Sequence, residues 1–311
     1  MTVSRYLREL HQSDADRAPL LQRDLGDPRR DGRASNSIIT TWHVSFAYIR
    51  QETPSAARLL ALMSLFDPEG IPASLLHGYG EDGQGDSDFE VDLDTLRSYN
   101  LVGVGVKDNT FEMHRLVQFS TKKWLELQGE LQRWQERYID SLCEAFPTGD
   151  YENWAKCEDL FPHAEALVPY QPKTAEHLTR CATILYNASW YAAVSGRYNG
   201  AEVMARESMA TRRGALGQES PATLSSIYNL ALVLRSQGQY EAAEETNGRE
   251  MEGYQKVLGQ EYPNTLTSVS NLVTVLQSQG RYKEAEEMFR RAREGLEKVP
   301  GKEHPDKLKS V

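Results

Sequence analysis

Residues 216–257 read LGQESPATLSSIYNLALVLRSQGQYEAAEETNGREMEGYQKV, and residues 258–299 read LGQEYPNTLTSVSNLVTVLQSQGRYKEAEEMFRRAREGLEKV. Aligned without a gap, the two stretches agree at 24 of 42 positions. A fixed period of this length marks a stacked repeat, in which each unit buries its apolar face against its neighbours. Within each copy two helical stretches flank a Gly-x-Tyr turn. Pro221 and Thr223 open the first helix of one copy, as Pro263 and Thr265 open that of the next. Proline is tolerated there because its missing N–H would find no partner in a first turn. Leu224, Ile227, Leu230, Ala231 and Leu234 recur at helical spacing and form one apolar face. Gly238 ends that helix, Tyr240 follows and Ala243 begins the apolar side of the second, a device repeated by Gly280, Tyr282 and Ala285. Where the later copy has Phe289-Arg290, the earlier has Asn247-Gly248. Glycine inside a helix costs about 1 kcal/mol relative to alanine, so the helix carrying Gly248 is expected to be the weaker one.

Partial copies flank the pair. Asn187, Gly196, Tyr198 and Ala201 lie 42 residues before Asn229, Gly238, Tyr240 and Ala243, which places a degenerate copy over 174–215. Beyond the pair, PGKEHPDKLKSV (300–311) carries Gly301, Glu303, Pro305, Leu308, Ser310 and Val311 in phase with the copy before it. A solenoid normally ends on a polar capping helix, so a fragment or a truncated gene model is expected here.

These copies resemble the tetratricopeptide repeat, in the 42-residue variety of kinesin light chains. Asn229-Leu230-Ala231, Leu234, Gly238, Tyr240 and Ala243 fit that pattern, and Asn271-Leu272, Leu276, Gly280, Tyr282, Ala285 and Phe289 fit it again. The resemblance implies an α-α superhelix whose first helices line a concave groove for a protein or peptide partner. On helical spacing Ser225, Tyr228, Asn229, Leu232, Arg235 and Ser236 share a face opposite Leu230 and Leu234. Thr267, Ser270, Asn271, Thr274, Gln277 and Ser278 are their equivalents one copy on. Two readings of Asn187, Asn229 and Asn271 stand. As a ladder they would grip the backbone of an extended peptide, since an amide both donates and accepts. Alternatively they hydrogen-bond within the repeats. Arg235 is the clearest cation of this face and suggests a weak acidic preference.

Residues 37–127 follow a different pattern. Helices are expected over 37–50, 54–65 and 73–76, then an acidic glycine-rich loop and a helix near Val91 to Tyr99. Val102, Val104 and Val106 alternate on one face, turn at Asp108-Asn109 and return through Thr110 to Met113, a β-hairpin signal with Asn109 at positive φ. An amphipathic helix closes the unit, with Leu116, Val117, Trp124 and Leu127 on one side. Helices, a hairpin and a helix make a winged-helix unit. Its reading helix would carry Glu90, Asp92 and Asp94 against Arg97, a face that repels phosphate. The words TTWHVSFAYIRQ (40–51), LLALMSLFDPEGIPASLL (59–76) and FEMHRLVQFSTKKWL (111–125) resemble the winged-helix segment of NB-ARC-type signalling ATPases, in the NOD-like receptor architecture of fungi. That resemblance implies that His114, in the pair Met113-His114, points at the β-phosphate of ADP when an upstream nucleotide-binding module is present. Arg115 follows where plant receptors have aspartate. Residues 1–36 resemble the remnant of the preceding helical segment and a linker.

Several tempting motifs fail. Gly78 to Gly83 fits G-x-G-x-x-G, but seven carboxylates between Glu81 and Asp94 would repel a pyrophosphate. Asp86, Asp88 and Glu90 imitate a calcium loop, yet Val91 stands where the turn needs glycine and Arg97 where it needs glutamate. The Gly-Lys pair at Gly301-Lys302 is followed by Glu303 rather than Ser or Thr, so it is no phosphate loop. Cys143, Cys157 and Cys181 lack metal-ligand spacing and suggest a reducing compartment. A net charge of −10 disfavours nucleic acid and anionic membrane. No run approaches the roughly 20 apolar residues that a membrane span needs.

The sequence therefore predicts an all-α-dominated protein: a winged-helix-like domain over 37–127 with a small β-hairpin, a helical connector over 128–173, and tetratricopeptide repeats over 174–311. Trp134, Tyr138, Trp154 and Phe161 would bury the joint between winged helix and repeats. The expected function is a non-enzymatic, cytoplasmic interaction module, the sensor part of an NB-ARC–tetratricopeptide protein, with no metal and no cofactor. A stand-alone scaffold or cargo adaptor like kinesin light chain is the alternative, weakened by the absence of heptads in 128–173.

Overall fold

The computed structural model describes residues 46–80, 89–259 and 263–297. Expectations for the segment over 1–36, the start of the first helix, most of the acidic loop and the truncated copy over 300–311 lie outside the described residues. Two compact units divide between Ala145 and Phe146.

In the first unit α1 (46–52) leads into α2 (Pro54–Met63), whose proline occupies the first turn, where no N–H partner is needed. α2 is buried nearly all round, with Leu59, Leu60, Leu62 and Met63 shielded from solvent. β1 (Ile71–Pro72) and a 3₁₀ turn (Ala73–Leu75) follow, then α3 (Phe89–Ser98), β2 (Val102–Val104) and β3 (Thr110–Met113). The hairpin of β2 and β3 is antiparallel, with Val102 opposite Met113 and Val104 opposite Phe111. Asn109 turns it at φ 55°. A third strand that periodicity did not disclose, β1, pairs with the other edge of β3, Ile71 opposite Phe111. A two-residue strand is too short to carry an alternation signal. The expected valine face also changes along its length. Val102 is buried, but Val104 and Val106 are exposed, because the hairpin tip projects past the core.

α4 (Arg115–Gln128) ends at Gly129 in the left-handed conformation, φ 71°. It buries Phe119, Trp124 and Leu125, whereas Leu127, expected on the apolar side, is 63% exposed. Trp124 meets Phe46 edge-on at 4.7 Å, which fixes the buried side one position round from Leu127. α5 (Leu131–Ala145) packs on α2, with Tyr138 edge-on to Phe66 at 4.7 Å. A buried carboxylate ties the start of this unit together. Asp92 accepts from Ser55 Oγ at 2.6 Å and from Tyr79 OH at 2.8 Å.

The second unit begins with α6 (Trp154–Glu165), packed on α7 (Ala175–Val194) through Phe161 and Tyr191 at 5.7 Å. Of the aromatic residues expected at the joint, Trp134 and Tyr138 pack within the first unit, and Trp154 and Phe161 meet Tyr191 in the second. Three antiparallel helix pairs follow: α7 with α8 (Tyr198–Leu216), α9 (Pro221–Ser236) with α10 (Tyr240–Leu258), and α11 (Pro263–Ser278) with α12 (Tyr282–Glu297). Each helix packs on the next, and the first helices of successive pairs also touch one another.

The 42-residue period reappears in the geometry. Gly217 and Gly259 link the pairs at φ 88° and 96° with ψ 164° and 167°, a region open only to glycine. Thr223 and Thr265 each donate to the carbonyl of that glycine at 2.8 Å, so the threonine that follows each proline closes the linker rather than capping the helix. Successive pairs are clasped in phase as well. Gln237 donates to Glu202 at 3.0 Å, and Gln279 donates to Glu244 at 2.8 Å. The Ser-Gln-Gly words at 236–238 and 278–280 carried that signal. α10 runs unbroken through Gly248.

Candidate functional site

The row expected on α9 and α11 is built of short polar and mid-sized side chains, and on α9 Ser225 Oγ also meets Tyr254 OH of α10 at 3.4 Å. On α9 Ser225, Tyr228, Leu232 and Arg235 are half-buried; on α11 Ser270, Thr274 and Gln277 are exposed. Their hydroxyls donate back along the helix, Ser225 to Pro221 O at 3.0 Å, Ser270 to Leu266 O at 3.2 Å and Thr274 to Ser270 O at 2.9 Å. With the protons spent this way, lone pairs face outward, and the row presents acceptors. Tyr228 and Tyr254 hold their phenol protons more firmly than usual, burial being the main cause. Both therefore stay neutral hydrogen-bonding groups.

Asn229 departs from the expected row. It is 1% exposed, and its amide donates to Tyr186 O at 3.2 Å and Ser189 Oγ at 3.0 Å. The side chain is spent stapling α9 to α7, so the second of the two readings holds at this position. Asn187 and Asn271 are half-buried. The Asn271 amide nitrogen is buried without a hydrogen-bond partner among the described residues. Its equivalent of Ser189, 42 residues on, is Ala231, which has no hydroxyl to accept. Ala231→Ser is accordingly expected to stabilise the array by about 1 kcal/mol, the net worth of one hydrogen bond. A urea midpoint read by circular dichroism checks this; a lower midpoint would mean that the added oxygen overpacks the site.

Two buried ionisable groups at the pair-to-pair junctions were missed by the sequence reading. Arg212 of α8 is 7% exposed and donates to Ala222 O and Ser226 Oγ, each at 3.0 Å, and to Thr183 Oγ1 at 3.3 Å. Its guanidinium lies 4.8 Å over the Tyr186 ring. Glu250 of α10 is 3% exposed. The available signal was a charged residue at the apolar spacing of a second helix. Cys181 is buried against α8, and burial pushes its thiol up to about 12, which leaves it unreactive.

In the first unit His114 is exposed and precedes α4. Its Nδ1 accepts from Leu116 N–H at 3.2 Å, so the imidazole caps the helix. Among the described residues no three metal-ligating side chains cluster, and no helix is long and apolar enough to cross a membrane.

Comparison with known proteins follows this division. Residues 179–256 and 228–298 match the tetratricopeptide repeat model, so the helix pairs of the second unit are tetratricopeptide repeats. Residues 48–128 match a domain of unknown function (DUF7779). A nucleotide-binding leucine-rich repeat (NLR)-like protein of Hyaloscypha variabilis is 32% identical over 231 residues, 73% of this chain and 23% of the relative. The chain thus spans about a quarter of that relative's length. Two crystal structures of nearly identical TPR-like repeats, assigned to a kinesin light chain of Podosopora anserina, are 19% and 18% identical, with TM-scores of 0.35 and 0.36. They cover 56% and 58% of this chain and 90% and 93% of their own.

Proposed function

We propose that this chain is a non-enzymatic protein-interaction module whose first-helix row takes an extended segment of another protein. The carrying observation is the row itself: Tyr228, Leu232 and Arg235 on α9 beside Ser270, Thr274 and Gln277 on α11, solvent-accessible on helices that touch. Acceptor oxygens, one aromatic side chain, one aliphatic side chain and one cation suit a peptide backbone with an apolar anchor and an acidic neighbour. Asn229 is left out of this reading, because its amide already has two partners.

The likeness to an NLR-like protein supports a regulatory setting. In it the 48–128 unit acts as a winged-helix switch piece, and the repeats are the sensor, in the cytoplasm. His114 would then meet nucleotide only when a nucleotide-binding module is joined to the chain.

The test is a peptide library panned on the full chain. Peptides so selected are expected to bind about a hundredfold more weakly to the triple variant Tyr228→Ala, Arg235→Glu, Thr274→Ala, on the scale of a few interface anchors. Calorimetric titration measures the loss, with far-ultraviolet circular dichroism to show that the fold is kept. Equal affinity in a folded triple variant would remove the row from consideration.

A further inference from the structure

We infer that Glu250 makes the stacking of the third repeat on the second sensitive to pH, the junction being tightest when Glu250 carries a proton. This concerns regulation of the row proposed above and rests on that reading only for its consequence, because stacking is measured without any ligand.

Three observations carry it. Glu250 is buried on α10, and one turn earlier on the same side of the helix Asn247 is buried too. Glu250 Oε2 and Asn247 Oδ1 are both acceptors that no donor reaches among the described residues. A proton on the carboxyl group turns one of two stranded acceptors into a donor. Second, among the described residues no cation answers the charge. Glu250 forms a hydrogen bond with Ser268 of α11, a helix without a titratable residue between Pro263 and Ser278. The groups that feel it are Tyr228 of α9, Tyr254 of α10 and Tyr186 of α7, all neutral in this range. Arg212 of α8 and Arg235 of α9 act on Tyr186 and Tyr228 respectively. Third, the preceding junction holds a neutral residue at this place. Ser208 donates to Ala182 O at 2.7 Å and meets Ser226 Oγ at 3.1 Å, so the hydroxyl at this position has its partners.

Burial pushes the Glu250 carboxyl up to about 7, the Ser268 hydrogen bond only partly opposing it. The sign follows from linkage. The folded junction binds the proton more tightly than the open one, so the added stability is full below the ordinary value of 4.5 and is lost as pH rises through about 7. That difference corresponds to on the order of a hundredfold in the stacking equilibrium.

Hydrogen exchange of α11 is read in the full chain at about pH 5.5 and 8, against Glu250→Gln and Glu250→Ser. Comparing proteins at equal pH cancels the intrinsic exchange rate. In the wild type α11 is expected to open at least tenfold more readily at the higher pH, and both variants should flatten that dependence. A wild-type dependence that the variants share overturns the inference. Should neither variant fold, the Glu250 carboxyl is followed in the wild type by carbon-13 NMR. A midpoint near 7 upholds the inference, and one near 4.5 overturns it.

Discussion

Arg212→Ala is expected to lower the melting temperature of the repeat unit by about 10 °C, from a loss of about 3 kcal/mol. The guanidinium reaches three helices at once: it starts on α8, donates to Thr183 of α7, and donates to Ala222 O and Ser226 of α9. Truncation removes the hydrogen bonds to one carbonyl and two hydroxyls, opens a cavity and removes the stack on Tyr186. An opposing term exists. Among the described residues no carboxylate pairs with Arg212, and burial lowers its pKa, so holding the charge there costs desolvation energy. Hydrogen bonds to three fixed acceptors should outweigh that term. Arg212→Met separates the two effects, since it keeps the apolar stem and discards both charge and donors. A stability between those of wild type and the alanine variant fits a staple. A methionine variant more stable than wild type would mean that desolvation wins, and Arg212 would then be a burden on the junction.

Tyr138→Ala should remove about 4 kcal/mol from the first unit and leave the repeats untouched. The side chain is fully buried and its ring meets Phe66 edge-on at 88°. A loss of this size is a large part of the 5–15 kcal/mol that holds a domain together. Scanning calorimetry with limited proteolysis checks it, and cleavage is expected to spread through 46–145 while 146–297 stays resistant. Equal weakening of the repeats would mean that α5 belongs to both units rather than to the first.

What could be read in advance differs from element to element. The helix pairs were legible because 42-residue identity and 3.6-residue spacing both survive in Leu224, Leu230, Leu234 and their copies. The hairpin was legible through Asp108-Asn109, and the φ of 55° at Asn109 is what the turn requires. β1 was not, because Ile71-Pro72 is recognisable only beside Phe111 and Thr110, some forty residues on. Leu127 misled for a related reason. An apolar residue on a helix shows where a core is permitted, while the position of Phe46 against Trp124 decides where it lies.

The row of candidate contacts divides in the same way. Local spacing was enough to put Tyr228, Leu232, Arg235, Thr274 and Gln277 on one face, since a helix dictates which of its own residues are neighbours. Whether a residue on that face meets solvent or another helix depends on the adjoining repeat. Asn229 has Ser189 across from it and is consumed; Asn271 has Ala231 and keeps an unmatched amide. The chain's own order of residues thus determined the repeat, its period, its turns and its polar face, all of which follow from interactions within a few residues. Only the stacked structure decided which polar groups are buried, because desolvation is set by what another repeat brings to within a few ångströms. Arg212 and Glu250 acquire their character from that proximity alone.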